Sequence, residues 1–251
     1  MIMFKAEITD AKLLRDSLDA VSELIDEAEL SVTPEGMRIV ASDRAVVAVV
    51  NFFISKNAFD SYECDKEAKL GINLTNVMQI LRRWKDEKMT ISAEGNKILL
   101  SFAGSSKRHF TLPVIDVSKE ESPDLAKLES GFTASLTISS DAFSSGVEDA
   151  ELVGDSVVFT VRKDMFILTS ENDSSSTKLE MLPGESLSIL SVGEPVRARY
   201  SIDYMKKMLK ARKLSGTAKL SLSSEYPLRL SFSVPEKLEL SFILAPRVEE
   251  N

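Results

Sequence analysis

The chain has 251 residues, 43% of them hydrophobic and 28% charged, with a formal net charge of −8 at pH 7. That is a globular composition with enough apolar material for more than one core. The acidity argues on its face against nucleic acid, because phosphate binding needs Lys and Arg to displace counterions. Where the charges lie matters more than their sum.

The first residues reach Lys5 and Glu7 too early for a signal-peptide hydrophobic region. The longest apolar run, Ala45 to Val50, stops at Asn51. A cytoplasmic, intracellular protein with no membrane partner is expected. The single cysteine, Cys64, stands between Glu63 and Asp65 with no Cys or His spaced for metal, and reads as an ordinary reduced thiol. The Asn-x-Ser/Thr matches at Asn73 and Asn172 carry no glycosylation meaning without an export signal.

In chain order, Phe4 opens FKAEIT, then a helical pattern, then ELIDEAELSV. Later, Phe132 opens FTASLT, a second helical pattern and ELVGDSVVFTV. INLTNVMQILRR, TISAEG, ILLSF and FTLPVID are answered in turn by YSIDYMKKMLKA, KLSLSS, LRLSF and LSFILAP. The offset of about 128 residues suits a duplicated domain and is too long for a solenoid unit. Two domains, 1–117 and 132–251, are therefore expected around a polar connector, 118–131, which is broken by Pro123 and carries the apolar Leu125, Ala126 and Leu128.

Most segments alternate apolar and polar residues with period two, among them MRIVAS, VVAVVNFFIS, KILLSFAG, RHFTLPV, MFILTS, TKLEML and KLELSFIL, which predicts antiparallel strands. Four segments show helical spacing instead. The first places Ala11, Leu14, Leu18, Val21 and Ile25 on one face after Thr9 and Asp10 as N-caps; the second Val77, Ile80, Leu81 and Trp84 after Thr75. The third has Phe143, Gly146, Val147 and Ala150 after Ser139, Ser140 and Asp141; the fourth Met205, Met208 and Leu209 after Asp203. The fold class is α+β, with two similar tandem domains, each of two helices packed on antiparallel β-sheet.

Three of the four helices are basic. They carry Lys12 and Arg15; Arg82, Arg83 and Lys85; and Lys206, Lys207, Lys210, Arg212 and Lys213, which are ten of the 31 Lys and Arg in the chain. One charged helix is ordinarily a solvated face, but three at repeat-related positions point to a shared positive surface. The third helix departs from this with Ser144, Ser145, Glu148, Asp149 and Glu151. Catalytic patterns such as GxGxxG, Walker A, GxSxG and HExxH do not occur, and the lone His109 sits in an alternating strand, so neither an enzyme nor a cofactor or metal is expected.

These features, with LIDEAELSVTPEGMRI at Leu24–Ile39, INLTNVMQILRR at Ile72–Arg83, LPVIDV at Leu112–Val117, DAELVGDSV at Asp149–Val157, YPLRLSF at Tyr226–Phe232 and the ending ILAPRVEE, resemble the DNA sliding clamps of the proliferating cell nuclear antigen family in its archaeal form. The resemblance implies the DNA clamp fold and a ring of three subunits that encircles double-stranded DNA without sequence preference. It also implies partners (DNA polymerase, clamp loader, nuclease and ligase) held through short peptide motifs.

The family's DNA-facing positions fall on Lys12, Arg82 and Lys210, and charge and helical position add Arg15, Arg83, Lys85, Lys206, Lys207 and Lys213. The partner-peptide pocket implied by the family is lined by Val46, Val47, Leu125, Leu128, Pro227, Ile243, Ala245 and Pro246. Its subunit junction pairs a strand bearing Lys107, Arg108, Phe110 and Leu112 with one bearing Thr177, Leu179 and Met181. There Glu148, Asp149 or Glu151 would face Arg83 or Lys85 of the next subunit. Three alternatives stay open at this level: a subunit of a heterotrimeric replicative or checkpoint clamp, a β-rich protein-interaction module without a DNA role, and an enzyme whose site forms only on folding.

Overall fold

The computed structural model describes residues 2–85, 87–117 and 125–248. Residues 118–124 of the expected connector, Pro123 among them, and Glu249 and Glu250 of the C-terminal motif lie outside the described residues. The chain packs as two compact units, one of Met1–Arg44, Val50–Ser122 and Ser233–Leu240, the other of Ala45–Val49, Pro123–Phe232 and Ser241–Asn251.

The first half supplies strands β1 (Ile2–Ile8), β2 (Glu27–Thr33), β3 (Gly36–Ser42), β4 (Ala48–Ser55), β5 (Ser61–Cys64), β6 (Ala68–Asn73), β7 (Lys88–Glu94), β8 (Lys97–Ala103) and β9 (Lys107–Pro113), with helices α1 (Ala11–Ser22) and α2 (Leu74–Leu81). One sheet of the first unit runs β5-β1-β7-β8-β9 and another β4-β3-β2-β6. The β5-β1, β1-β7, β7-β8, β8-β9, β3-β2 and β2-β6 pairings are antiparallel, as the alternating sequence predicts. Along β7 and β8 every second residue (Met89, Ile91, Ala93, Ile98, Leu100 and Phe102) is buried, which fixes the register because a slip by one residue would turn this set outward. Gly71, in β6, allows a close approach: a Cβ there would lie 1.9 Å from the Ile115 carbonyl oxygen, and Ile115 donates its own N–H to the Gly71 carbonyl.

The second half supplies a short helix α3 (Leu125–Glu129), then β10 (Ala134–Ser139), α4 (Ser140–Glu151), β11 (Ser156–Val161), β12 (Phe166–Glu171), β13 (Ser176–Met181), β14 (Leu187–Val192), β15 (Val196–Ser201), α5 (Ile202–Met208), β16 (Thr217–Leu222), β17 (Leu228–Val234) and β18 (Leu238–Leu244). The second unit holds a sheet β13-β12-β11-β15 and the run β14-β10-β16-β17. α4 packs on strands of both, and Phe143 on its buried face joins Phe159, Phe166 and Tyr200 in one aromatic cluster. The Tyr200 hydroxyl donates to the Tyr226 carbonyl, and burial pushes its pKa upward.

Four details differ from the sequence reading. α2 is capped by Asn73, whose side-chain oxygen accepts the Asn76 N–H at 2.9 Å, and Thr75 lies exposed inside the first turn. The extended backbone of Asn73 at the end of β6 puts its short amide in reach of that orphan donor. Trp84 is 1% exposed but lies beyond the helix, in a turn that its N–H forms with the Leu81 carbonyl. The fourth helix is shorter than its pattern: α5 ends at Met208, and Lys210, Arg212 and Lys213 stand on a following 3-10 segment, Leu209–Leu214. The apolar run Ala45–Val50 becomes strand only from Ala48, because Val46 is 70% exposed with φ +56°, a backbone region that β-branched residues rarely enter.

Candidate nucleic-acid interface

In the first unit α1 and α2 lie against each other, and α2 rests on β2 and β6. Asp10 starts α1 by accepting the Lys12 N–H at 3.1 Å, while Thr9 gives its hydroxyl proton to Asp60. Leu14, Leu18 and Val21 recur at the spacing of one helix face and are buried, which turns Lys12 outward and leaves Arg15, Asp16 and Asp19 half-exposed at the margin.

Trp84 anchors the far end of α2, its indole N–H satisfied by the Glu87 carbonyl at 2.7 Å, and so presents Arg82, Arg83 and Lys85 to solvent. The cations are not equivalent. Arg15 donates to the Trp84 carbonyl at 3.3 Å and to Asp16 at 3.4 Å, so it braces the segment after α2. Arg82 is bonded to Asp19 at 2.8 Å. Among the described residues no carboxylate reaches the side chains of Lys12, Arg83 or Lys85.

The second unit repeats the arrangement. Ser139 caps α4 through the Ala142 N–H, and Phe143, Val147 and Ala150 hold that helix down. Met205, Met208 and Leu209 do the same for α5 and the turn after it. Arg212 donates to Glu148 at 2.8 Å and to Ser144, whose hydroxyl donates in turn to Glu148 at 2.9 Å, and the two bonds to Glu148, that of Arg212 first, hold its carboxyl below its usual range. Lys206 is paired with Glu151, and Lys207 lies over the Tyr204 ring, 5.5 Å from its centroid. Lys210 and Lys213 are exposed and have no carboxylate partner among the described residues. Each unit thus presents a helix face of free cations interspersed with neutralised ones.

The residues expected to line a peptide pocket all belong to the second unit. The Ala245 N–H donates to the Val47 carbonyl at 2.9 Å. Leu128 is tied through its carbonyl to the hydroxyl of Tyr226, the neighbour of Pro227, and Arg229 holds α3 through Glu129 at 2.7 Å. Val46 is exposed; Val47, Leu125, Leu128, Pro227, Ala245 and Pro246 are half-buried; Ile243, 6% exposed, sits within the core and offers the least surface.

The two strands expected at a subunit junction are both sheet edges. β9 pairs with β8 and β13 with β12, and neither has a second partner among the described residues. In β9 Lys107 is exposed, while Arg108, Phe110 and Leu112 are half-buried on its own unit: Arg108 is bonded to Glu87 and lies over the Phe102 ring, which Phe110 meets edge-on. Thr177, Leu179 and Met181 alternate inward on β13.

Leu179 fits because Gly146 lies beneath it; a Cβ there would come 2.6 Å from the Leu179 Cδ2. Glu148 and Glu151 are occupied by Arg212 and Lys206 of their own unit, which leaves Asp149, of the three expected acids, without a basic partner among the described residues. Sequence reasoning missed Leu152, 84% exposed after α4, and Leu182, 67% exposed after β13. Leu152 was discoverable, since it falls off the buried stripe of Phe143, Val147 and Ala150 and has no core role in that pattern.

Residues 3–120 match the family model for the proliferating cell nuclear antigen N-terminal domain, and residues 127–247 match that for its C-terminal domain. The chain belongs to the proliferating cell nuclear antigen family. Within that family it is 33% identical, over 98% of its length and 99% of the relative's, to a DNA polymerase sliding clamp of Methanothermobacter thermautotrophicus. It is 32% identical, over the same shares, to one of Thermococcus gammatolerans. Its structure resembles the crystal structure of proliferating cellular nuclear antigen from Entamoeba histolytica, with a TM-score of 0.88 at 26% identity over 99% of this chain and all of the other.

Proposed function

We infer that the chain is a DNA polymerase sliding clamp, a processivity factor without catalytic activity of its own. It closes as a ring of three copies around duplex DNA inside the cell and tethers polymerase, clamp loader, nuclease and ligase through short peptide motifs. The observation that carries this reading is the presence of both family domains, in tandem and in order, across the whole chain. Domains at 1–117 and 132–251 joined by a connector at 118–131 suit that design.

The helix faces support the reading physically. A clamp must hold DNA without stopping on any sequence, so its contacts go to phosphate from Lys and Arg, with no base-reading groups. Lys12, Arg83, Lys85, Lys210 and Lys213 are exposed on those faces, while a net charge of −8 keeps the rest of the molecule unattractive to DNA. A heterologous ring contact requires two different edges, and β9 and β13, edge strands among the described residues, suit it, one joining to the other in the next copy. The half-buried Val47, Leu125, Leu128, Pro227, Ala245 and Pro246 offer apolar surface for a short helical peptide segment.

The test is loading by a clamp loader onto nicked circular duplex. A clamp stays on the circle and leaves when the circle is cut; equal loss from both forms would overturn the reading.

A further inference from the structure

The two units repeat one ion pair. Asp19 stands nine residues after its helix N-cap, Asp10, and Glu148 nine residues after its own, Ser139. Each carboxylate crosses to an arginine at the end of the second helical segment of its unit: Asp19 to Arg82 and Glu148 to Arg212, both at 2.8 Å. A third pair, Glu151 with Lys206, lies beside the second of these.

The pairs are open to solvent, with Arg82 and Asp19 60% and 26% exposed and Arg212 and Glu148 41% and 55%. Pairs this exposed contribute little to stability, and the buried stripes of α1, α2, α4 and α5 already hold the helices. A purely structural role therefore leaves their recurrence at matched positions unexplained. On a surface that meets phosphate they have a direct consequence, because a carboxylate within bonding distance of a guanidinium competes with phosphate for it and repels any phosphate that approaches.

We propose that Asp19 and Glu148 are built-in counterions that hold down the grip of the helix faces on duplex DNA. Arg82 and Arg212 reach phosphate only when the carboxylate is displaced, so the standing contact falls to Lys12, Arg83, Lys85, Lys210 and Lys213. This keeps the face positive enough to centre DNA and too weakly binding to stall on it. The inference rests on the reading of these faces as DNA-facing.

The test uses the full chain with the substitutions Asp19→Asn and Glu148→Gln, singly and together, and a fluorescent linear duplex of mixed sequence as the probe. Each freed arginine is expected to steepen the slope of log affinity against log salt by about 0.9, which between roughly 50 and roughly 200 mM salt is a further fall of about 3.5-fold. Binding at low salt is expected to tighten several-fold. Glu23→Gln removes the same charge four residues on, at the C-cap of α1, where no basic side chain is bonded to it among the described residues, and is expected to change the slope far less.

An unchanged slope in the Asp19→Asn, Glu148→Gln double variant, or an equal change in Glu23→Gln, overturns the proposal. So does a lowered thermal midpoint with no change in slope, which would mark the pairs as helix ties. Lys210→Glu, measured in parallel, separates the two levels: if it too leaves binding unaltered, the faces do not meet DNA and the underlying reading fails first.

Discussion

Replacing Lys210 and Arg82 together by glutamate tests how the faces hold DNA. Lys210 is exposed without a carboxylate partner among the described residues, and the Arg82 side chain, 60% exposed, is bonded among those residues to Asp19 alone. That surface pair is worth only about 0–1 kcal/mol, so Arg82 can exchange it for phosphate. Each phosphate contact contributes about 0.9 to the slope of log affinity against log salt. In a ring of three copies Lys210 alone supplies up to three contacts, so between roughly 50 and roughly 200 mM salt its share of the fall in affinity is about 40-fold. Arg82 adds less than Lys210, because Asp19 competes for it.

The double variant is therefore expected to bind a fluorescent linear duplex more weakly at every salt concentration, with a slope flatter by about 3 or more, and to support less processive synthesis. Its native mass is expected to match the parent's, since neither residue lies on β9 or β13. A slope equal to the parent's, with the oligomer intact, would refute the assignment of these helices to DNA.

Other consequences follow at the edges, the pocket and the core. Along β13 successive N–H groups point to opposite sides, so of Lys178→Pro and Leu179→Pro one removes a bond to β12 and the other leaves that ladder whole. The latter is expected to give a folded monomer by light scattering, and a trimer in both would contradict the edge-to-edge junction. Leu128→Glu with Pro246→Glu is expected to abolish binding of a Gln-x-x-aliphatic-x-x-aromatic-aromatic peptide in calorimetry while the oligomer persists; unchanged affinity would remove those residues from the pocket. Trp84→Ala is expected to cost about 3–5 kcal/mol in urea unfolding, because a buried indole and its bond to Glu87 are lost together.

The Glu148 carboxyl is held below its usual value of 4.5, chiefly by Arg212. Its stabilising contribution is thus fully present above that value and is lost as pH falls through the lowered one. For so exposed a group the effect is small, and comparing urea midpoints of Glu148→Gln and parent across that acid range is expected to show the parent losing slightly more. A larger loss in the variant would reverse the sign.

Much of this was legible in the sequence. The period-two runs became antiparallel strands, and the repeat of FKAEIT in FTASLT became β1 and β10, because alternation and duplication are local patterns. The buried stripes of the four helices were readable from spacing, down to Leu14, Leu18 and Val21 in α1. What escaped depends on distance or on backbone. Asp19 meets Arg82 across 63 residues, and no periodicity announces such a pair, although its repeat in Glu148 and Arg212 at matched positions left a trace. Trp84 fits a helical stripe by spacing yet is buried from a turn, since helical period and a following tight turn bring a side chain to much the same place. Val46 reads as the start of a strand, but its left-handed backbone breaks the run. Arg15 and Arg83 look alike in sequence, and the Trp84 carbonyl and Asp16 beside Arg15 separate a brace from a free cation.

As a sliding clamp, this chain is expected to hold DNA by encircling it. The direct measurement is retention of labelled protein on nicked circular duplex after loader-driven loading, followed through gel filtration at moderate salt before and after a single restriction cut. Protein is expected to travel with the circle and to be lost once the DNA has ends. Equal retention on circular and linear DNA would show binding by affinity alone and would contradict it.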